Sequence, residues 1–351
     1  MAETSNIAVM AEKISDELFK YFKWERLIPR DMNFACHKGK QHQTGQSPKV
    51  THPVDVVFKY TDPYSGTDII LNTDLKSYKS GSITPSSVRD AIYSLAMTID
   101  CADGSDEWKT RYSMDSDDYE IRGMLFVYNH DGEYDKSFKD AFKPKVKGDR
   151  LVGGIKISNV PLREGQQLHI MEPLLIQYMR TIISDMDKLH RKGEFPESEY
   201  SFYYPDLLLN KLRGDTKNHP ATIELISGPY MLIKHNEIKK YCEVDDCVKV
   251  RCKQGFIIYY NQKGENPMEF VYLFDLLRNL QLLRGDDKIR IRVAHREPFK
   301  DINSIYNTAK SIYINSLGGD SFKENVLKSI EFDVIEQTKD IFCTNDIGWR
   351  L

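Results

Sequence analysis

Two segments near the N-terminus have the composition of adjacent β-strands that carry acidic residues. Residues 54–60 and 68–78 are rich in β-branched and aromatic residues, and the Asp-Pro-Tyr-Ser-Gly segment at 62–66 is typical of a turn. We therefore predict a β-hairpin. Because side chains alternate between the two faces of a strand, Asp74 and Lys76 are expected to share one face.

Asp55, Asp74 and Lys76 are the residue types that metal-dependent hydrolysis of a phosphodiester requires. Two carboxylates bind a hard divalent cation such as Mg²⁺, which also retains waters and contacts the substrate phosphate. The cation lowers the pKa of a bound water, and a nearby ammonium orients that water or neutralises charge in the transition state. We predict Asp55 and Asp74 as metal ligands, Lys76 as a third catalytic residue, and Mg²⁺, or Mn²⁺ in its place, as the cofactor.

An acidic residue two positions before a lysine is by itself a weak signal, because the chain has four further examples, at 107–109, 215–217, 237–239 and 286–288. None of these four acidic residues follows an apolar strand and also has a second aspartate on the preceding strand of a hairpin. The alternative for residues 55–76 is an ordinary half-buried hairpin with a surface Asp-Lys pair. A carboxylate on such apolar strands is costly without a partner or a metal, which favours the catalytic interpretation.

Pro53-Val54-Asp55 and Asp74-Leu75-Lys76 together resemble the motif of the PD-(D/E)xK nuclease superfamily. The resemblance implies an α/β fold of the restriction-endonuclease type, with a mixed sheet flanked by helices, and DNA as the commoner substrate. The fold alone does not choose a biological role. A nuclease domain followed by a second α+β domain looks most like a bacterial anti-phage defence nuclease that acts with a partner subunit.

A predicted amphipathic helix at residues 11–27 precedes the hairpin and carries Glu17 and Glu25. Many members of the superfamily place a glutamate of the first helix near the metal. The resemblance therefore offers Glu25 as an additional catalytic residue. A solvated surface glutamate is the alternative for both positions.

Residues 86–101 are predicted to form a helix, on which Arg89 and Tyr93 lie one turn apart. Related nucleases often have a glutamine and a tyrosine at this spacing along the DNA path, so the resemblance implies nucleic-acid contacts for both residues. Ordinary packing and surface positions are the alternative. Lys38 and Lys40, in a glycine-containing basic loop before Asp55, are further candidates for phosphate contacts, although such loops are usually solvated and mobile.

Composition bounds the remaining possibilities. The 351 residues exceed what one core usually organises, and we predict a nuclease domain at 1–195 and an α+β recognition or assembly domain at 196–351. With 40% hydrophobic and 29% charged residues, no signal peptide and no membrane-length apolar run, we expect a soluble cytoplasmic protein that does not interact with membranes. The net charge of −3 confines any DNA contact to local basic patches.

The six cysteines are sparse for this length and are predicted to be free thiols. Those at 242, 247 and 252 lack the CxxC spacing of structural zinc sites.

The second half shows helical and strand patterns without a catalytic constellation. Strands are predicted at 222–234, 248–260 and 288–294, and helices at 174–190, 267–283 and 302–317. DNA, a second protein subunit and a further copy of the chain are the expected partners. Two other functions stay open: a non-catalytic nucleic-acid-binding or scaffold subunit of a nuclease complex, and a hydrolase of a small phosphorylated substrate. The chain has no P-loop, HExxH or nucleophile-elbow motif that would support the latter.

Overall fold

The computed structural model describes most of the chain. The described residues are 2–43, 45–114, 118–147, 150–204, 218–242, 247–318 and 320–338. The chain divides into two compact units between Ile176 and Gln177. Helix α4 (Pro173–Arg191) runs across this division. The predicted domain ranges, 1–195 and 196–351, stay a prediction.

The first unit combines helices with short and long strands. Its elements are α1 (Ala2–Tyr21), β1 (Glu25–Leu27), β2 (Phe34–Ala35), β3 (Thr51–His52), β4 (Val56–Thr61), β5 (Asp68–Tyr78), α2 (Pro85–Ala102), α3 (Asp106–Arg111), β6 (Tyr119–Asn129), β7 (Lys145–Lys147), β8 (Arg150–Val152), β9 (Leu168–Met171) and the start of α4.

Five of these strands form a mixed sheet in the order β1-β4-β5-β6-β9. β4 is antiparallel to both β1 and β5, whereas β5, β6 and β9 are parallel to one another. The predicted hairpin is confirmed, with Val56 paired to Thr73 and Thr61 paired to Asp68. The mixed sheet with helices on both faces confirms the predicted fold class of this unit.

Helices cover the two faces of this sheet because side chains alternate along the central strands. On one face, Phe19 of α1 packs edge-on against Phe58 and Phe126. On the other, α2 packs onto a buried cluster that includes Ile70 of β5 and Leu125 of β6. α2 begins at a capping box, in which Thr84 accepts a hydrogen bond from the backbone of Ser87 and Ser87 reciprocates.

The second unit contains the other main sheet. Its elements are the rest of α4, β10 (Tyr200–Phe202), α5 (Ile223–Ser227), β11 (Tyr230–His235), β12 (Ile238–Cys242), β13 (Cys247–Cys252), β14 (Gly255–Tyr260), α6 (Pro267–Asn279), β15 (Lys288–Val293), α7 (Ile302–Ser316), α8 (Ser321–Ser329) and β16 (Glu331–Val334). The sheet order is β10-β11-β14-β15-β16. One face of α6, which includes Phe270 and Phe274, is buried in the core of this unit.

This second sheet repeats the strand directions of the first. β11 is antiparallel to β10 and β14, and β14, β15 and β16 are parallel. In both units a helix precedes the first strand of the sheet, and helices also connect the third strand to the fourth: α2 and α3 in the first unit and α6 in the second. β4 and β11 are each six residues long, and each pairs along its whole length with the next strand of its sheet. The two units therefore share one topology for their central strands.

Several sequence predictions miss where an element ends. The predicted helix 11–27 ends at Tyr21, and residues 25–27 form β1 instead. Lys23 has a positive φ of 62°, and Trp24 stacks on Phe19 and Tyr60, so the chain reverses there and joins the sheet. The predicted strand 248–260 is two strands, β13 and β14, and the predicted strand 222–234 begins as the short helix α5.

The apolar pattern of residues 151–159 predicts a further strand, but β8 is short and ends at Val152. Among the described residues, no helix combines the length and the apolar character needed to cross a membrane.

Candidate active site

Asp74 and Lys76 lie near the C-terminal end of β5, and Asp55 directly precedes β4. Because Val56 pairs with Thr73 in the antiparallel ladder, Asp55 and Asp74 occupy neighbouring positions on the same face of the sheet. This is the face that α2 covers. The structure thus brings together the three residues that the sequence predicted as a catalytic set.

Hydrogen bonds hold these three side chains in place. The Leu75 backbone N–H donates to Asp55 Oδ2 at 2.7 Å. The Lys76 ammonium donates to Asp74 Oδ1 at 2.5 Å, and the carboxyl group of Asp55 is close enough to Asp74 for the two to interact electrostatically. Only 16% of the Asp74 side chain and 32% of the Lys76 side chain are exposed, so this ion pair is shielded from bulk water on most sides.

The environment changes the protonation of both Asp55 and Lys76. Burial, followed by the neighbouring Asp74 carboxylate, raises the pKa of Asp55 to about 6. Burial lowers the pKa of Lys76, but the Asp74 carboxylate opposes this effect and raises the pKa. The net pKa of Lys76 lies above its usual value. Lys76 is therefore an ammonium at neutral pH. A second positive charge beside the two carboxylates would relieve their mutual repulsion, which is the chemistry of a divalent-cation site.

A groove of about 320 Å³ opens between this end of the hairpin and α2. Asp74, Lys76 and Tyr78 form its sheet side. Its helix side is a single stripe with spacings of three and four residues, composed of Ser87, Asp90, Ala91, Ser94, Leu95 and Thr98. Sequence analysis did not select the polar residues of this stripe. Helical spacing shows which residues of α2 share one side of the helix. Only the packed structure shows which side faces the groove.

Glu25 does not lie on the first helix. It is an exposed residue of β1, paired with Lys59 of β4. Lys59 is four residues beyond Asp55 along the chain, about 13 Å in an extended strand. The helix that should have carried Glu25 toward the metal ends four residues earlier. Glu17 does lie on α1, where its side chain is exposed and pairs with Lys13.

Arg89 and Tyr93 are not among the residues that line the groove. At 100° per residue they project from the side of α2 roughly opposite the groove-lining stripe. The exposed Arg89 guanidinium pairs with Asp90, its neighbour in sequence. Nucleic-acid contact by these two residues stays a prediction, and such a contact would lie outside the groove.

Lys38 and Lys40 differ in environment. The Lys38 ammonium donates to both carboxylate oxygens of Asp100, at 2.9 and 2.8 Å, so an internal carboxylate holds it. Lys40 is exposed. Of the two predicted phosphate contacts, the structure therefore leaves Lys40 at the surface and engages Lys38 within the fold.

A comparison with protein-family models matches residues 1–174 to the PD-(D/E)XK nuclease domain of the GAPS4 protein. Residues 1–174 form a PD-(D/E)xK nuclease domain. Neither the comparison with curated proteins nor that with solved structures finds a significant match. The matched segment contains the hairpin, α2 and every predicted site residue, and divalent metals are the general cofactors of such nuclease domains.

The nuclease domain and the second unit differ at the positions of the predicted catalytic residues. Extending the register of β11 and β14 by one pair, as from Val56 and Thr73 to Asp55 and Asp74, gives Pro229 and Asn261. Lys263 stands where the nuclease domain has Lys76. The second sheet thus retains a lysine at the equivalent position but has no acidic residue at either of these two described positions.

Proposed function

We propose that this protein is a Mg²⁺-dependent nuclease that hydrolyses phosphodiester bonds in DNA through Asp55, Asp74 and Lys76. The observation that carries the proposal is the pair of partly buried carboxylates at neighbouring positions of the hairpin, beside a protonated lysine and within a PD-(D/E)xK nuclease domain. An ordinary surface hairpin has no physical reason to keep two acids close together, because their repulsion costs free energy.

Asp55 and Asp74 would hold the divalent cation. When bound, the cation supplies a water of lowered pKa and stabilises negative charge on the phosphate oxygens. Oxygen ligands of this kind suit Mg²⁺ and Mn²⁺. The Leu75 N–H fixes the orientation of the Asp55 carboxyl, so the two carboxylates are positioned before any cation arrives.

Lys76 contributes a fixed positive charge. Its ammonium is held by Asp74, and its raised pKa keeps it protonated at neutral pH. It can therefore donate a hydrogen bond to a phosphate oxygen or to the attacking water. Across the groove from Lys76, the wall formed by α2 includes Ser87, Asp90 and Ser94.

We further propose that the nuclease acts in anti-phage defence together with a partner subunit. The matched family supports a nuclease with a defence role. The second unit, which has the strand order of the nuclease domain without its acidic pair, is suited to recognition or assembly rather than to a second cleavage event.

Cleavage assays with defined metals and substrates test the proposed activity. The full-length protein, alone and with the products of adjacent genes, is incubated with linear and circular duplex DNA, single-stranded DNA and RNA. We expect cleavage of DNA with Mg²⁺ or Mn²⁺ and none with EDTA. Cleavage of RNA alone would replace DNA as the substrate. Binding without cleavage under every condition would instead favour the non-catalytic scaffold.

The affinity for Mg²⁺ is expected to depend on pH because a proton and the cation compete for Asp55. With a pKa of about 6, Asp55 is protonated below that pH, so the affinity should fall by up to about tenfold per pH unit below 6 and level off above about 7. Isothermal titration of the protein without nucleic acid measures this dependence. An Asp55→Asn variant serves as the control and should bind weakly at every pH. Unchanged wild-type affinity from pH 5 to 7 would contradict the prediction.

A further inference from the structure

Two cysteines and two histidines, none of which lines the groove, meet at one point in the nuclease domain. Cys36 follows β2, His42 lies in the next loop, His52 ends β3 and Cys101 lies near the end of α2. One ligand atom from each lies within 4.8 Å of the others. Three of the residues are buried, and Cys36 is partly buried.

Four of the six distances between these atoms match the edges of a tetrahedron around a metal ion. A tetrahedral ion with bonds of about 2.3 Å to sulfur and about 2.0 to 2.1 Å to nitrogen separates its ligands by about 3.8 Å (S to S), 3.5 Å (S to N) and 3.3 Å (N to N). The two Sγ atoms are 3.7 Å apart, and His42 Nδ1 lies 3.6 Å from Cys36 Sγ and 3.4 Å from Cys101 Sγ. The His42 Nδ1 to His52 Nε2 distance is 3.2 Å.

The other ring nitrogen of each histidine is held by a hydrogen-bond acceptor. His42 Nε2 lies 2.9 Å from Asp100 Oδ2, and His52 Nδ1 lies 3.4 Å from Thr98 Oγ1. Thr98 gives its own hydroxyl proton to the Ser94 carbonyl, so its oxygen is free to accept. Such partners fix the tautomer of metal-binding histidines, and here they turn the lone pairs of His42 Nδ1 and His52 Nε2 toward each other.

Two facing lone pairs at 3.2 Å repel each other unless an electrophile lies between them. A disulfide between Cys36 and Cys101 would not supply one, and their sulfurs are well beyond the bonded distance of about 2.05 Å. A divalent cation bound by two thiolates and two neutral imidazoles accounts for all four side chains and gives a site of zero net charge, which suits its burial.

We propose that Cys36, His42, His52 and Cys101 bind a structural Zn²⁺ ion. A closed tetrahedral S₂N₂ ligand set favours zinc over Mg²⁺ or Mn²⁺, which prefer oxygen. The site is separate from Asp55 and Asp74 and serves a different purpose.

The zinc ion joins the segment from Cys36 to His52 to the C-terminal part of α2. His52 lies three residues before Asp55, and Thr98, which supports His52, also lines the groove. Asp100 connects the site to Lys38, whose ammonium it binds together with His42. The ion therefore fixes the strand that leads to Asp55 against the helix that forms the opposite wall of the groove.

Sequence analysis missed this site because its ligand spacings, five and nine intervening residues and then a separation of 49 positions to Cys101, match none of the short zinc motifs. Three ligands come from one loop region, but the fourth comes from α2 and is brought to them only by packing. The prediction that these cysteines are free thiols rested on the small number of cysteines for a chain of this length.

Metal analysis of the purified full-length protein tests the proposal. After brief EDTA treatment to remove weakly bound cations, we expect about one zinc per chain in the wild type and in Asp74→Asn, and loss of that zinc in Cys36→Ser and His52→Ala. Cys252→Ser removes a buried cysteine outside the cluster and should retain the metal. Retention in Asp74→Asn separates this site from the nuclease site.

Cobalt substitution provides a test that does not depend on the folding of a variant. The wild-type protein reconstituted with Co²⁺ should show thiolate-to-cobalt charge transfer and the strong visible bands of tetrahedral cobalt, which the carboxylate site cannot produce. Wild-type protein with no bound zinc and no such bands on cobalt addition would overturn the proposal. So would a Cys36–Cys101 disulfide found by mass spectrometry in the native protein.

Discussion

Asp74→Asn is expected to lower DNA cleavage by about 10³-fold or more, which corresponds to at least ~4 kcal/mol of lost transition-state stabilisation. Asparagine has the shape of aspartate, and its Oδ1 can still accept a hydrogen bond from Lys76. It cannot supply the negative charge that holds a divalent cation. The variant should therefore fold normally, bind Mg²⁺ weakly and cleave very slowly. Initial rates on linear DNA, with Mg²⁺ affinity measured separately, check both parts of this expectation.

Asp68→Asn is the matched control. Asp68 lies on the same strand, six residues before Asp74 or about 20 Å along it, and on the same face. Its carboxylate pairs with Lys59 near the turn of the hairpin. The two variants change net charge equally, so a comparable loss of activity in Asp68→Asn would mean that general electrostatics, and not a metal site at Asp74, supports cleavage.

The single substitution Asp74→Asn should be enough to abolish most DNA cleavage, because we expect the chain to have one cleavage site only. The second sheet has the strand order of the first, but Pro229 and Asn261 occupy the positions that correspond to Asp55 and Asp74. Neither supplies a carboxylate, although Lys263 follows at the position that corresponds to Lys76. Residual cleavage by Asp74→Asn at a substantial fraction of the wild-type rate would show that another metal site contributes.

The hairpin of β4 and β5 could be predicted from sequence because its signals are local. β5 begins and ends where the pattern of β-branched residues predicts, and the face shared by Asp74 and Lys76 follows from strand geometry alone. The position of Asp55 beside Asp74 could be predicted because only a short turn separates the two strands. These residues interact across a hairpin, where the turn fixes the register.

The parts that sequence could not predict depend on contacts between distant segments. Lys23 and Trp24 end the first helix because Trp24 stacks against the sheet, and helical periodicity carries no information about that contact. The choice of Arg89 and Tyr93 followed a family spacing, whereas the packing of α2 turns the stripe from Ser87 to Thr98 toward the groove. The cysteine and histidine cluster is the extreme case, because its fourth ligand is supplied by a different element.

Trp108 has the largest buried side chain near the catalytic strand and provides another test of how that strand is positioned. It lies on α3, is fully buried, and its indole Nε1–H donates to Asn72 Oδ1 at 3.3 Å. Asn72 is itself buried. It lies two residues before Asp74 on the same face of β5. The indole therefore fills space under the sheet and also satisfies the only buried amide on the catalytic face of this strand segment, residues 72–76.

Trp108→Ala is expected to lower the free energy of unfolding by about 3 to 5 kcal/mol, because it leaves a large cavity and removes the hydrogen-bond donor of Asn72. Trp108→Phe fills most of the space and loses only the donor, so about 1 to 3 kcal/mol is expected for that change. Tyr64→Ala, at an aromatic residue that is 52% exposed, is the control and should change stability by less than about 0.5 kcal/mol. Urea denaturation followed by circular dichroism measures all three. An equal effect of Trp108→Phe and Trp108→Ala would assign the whole contribution to the hydrogen bond, whereas a negligible effect of Trp108→Phe would show that the indole supports β5 through packing alone.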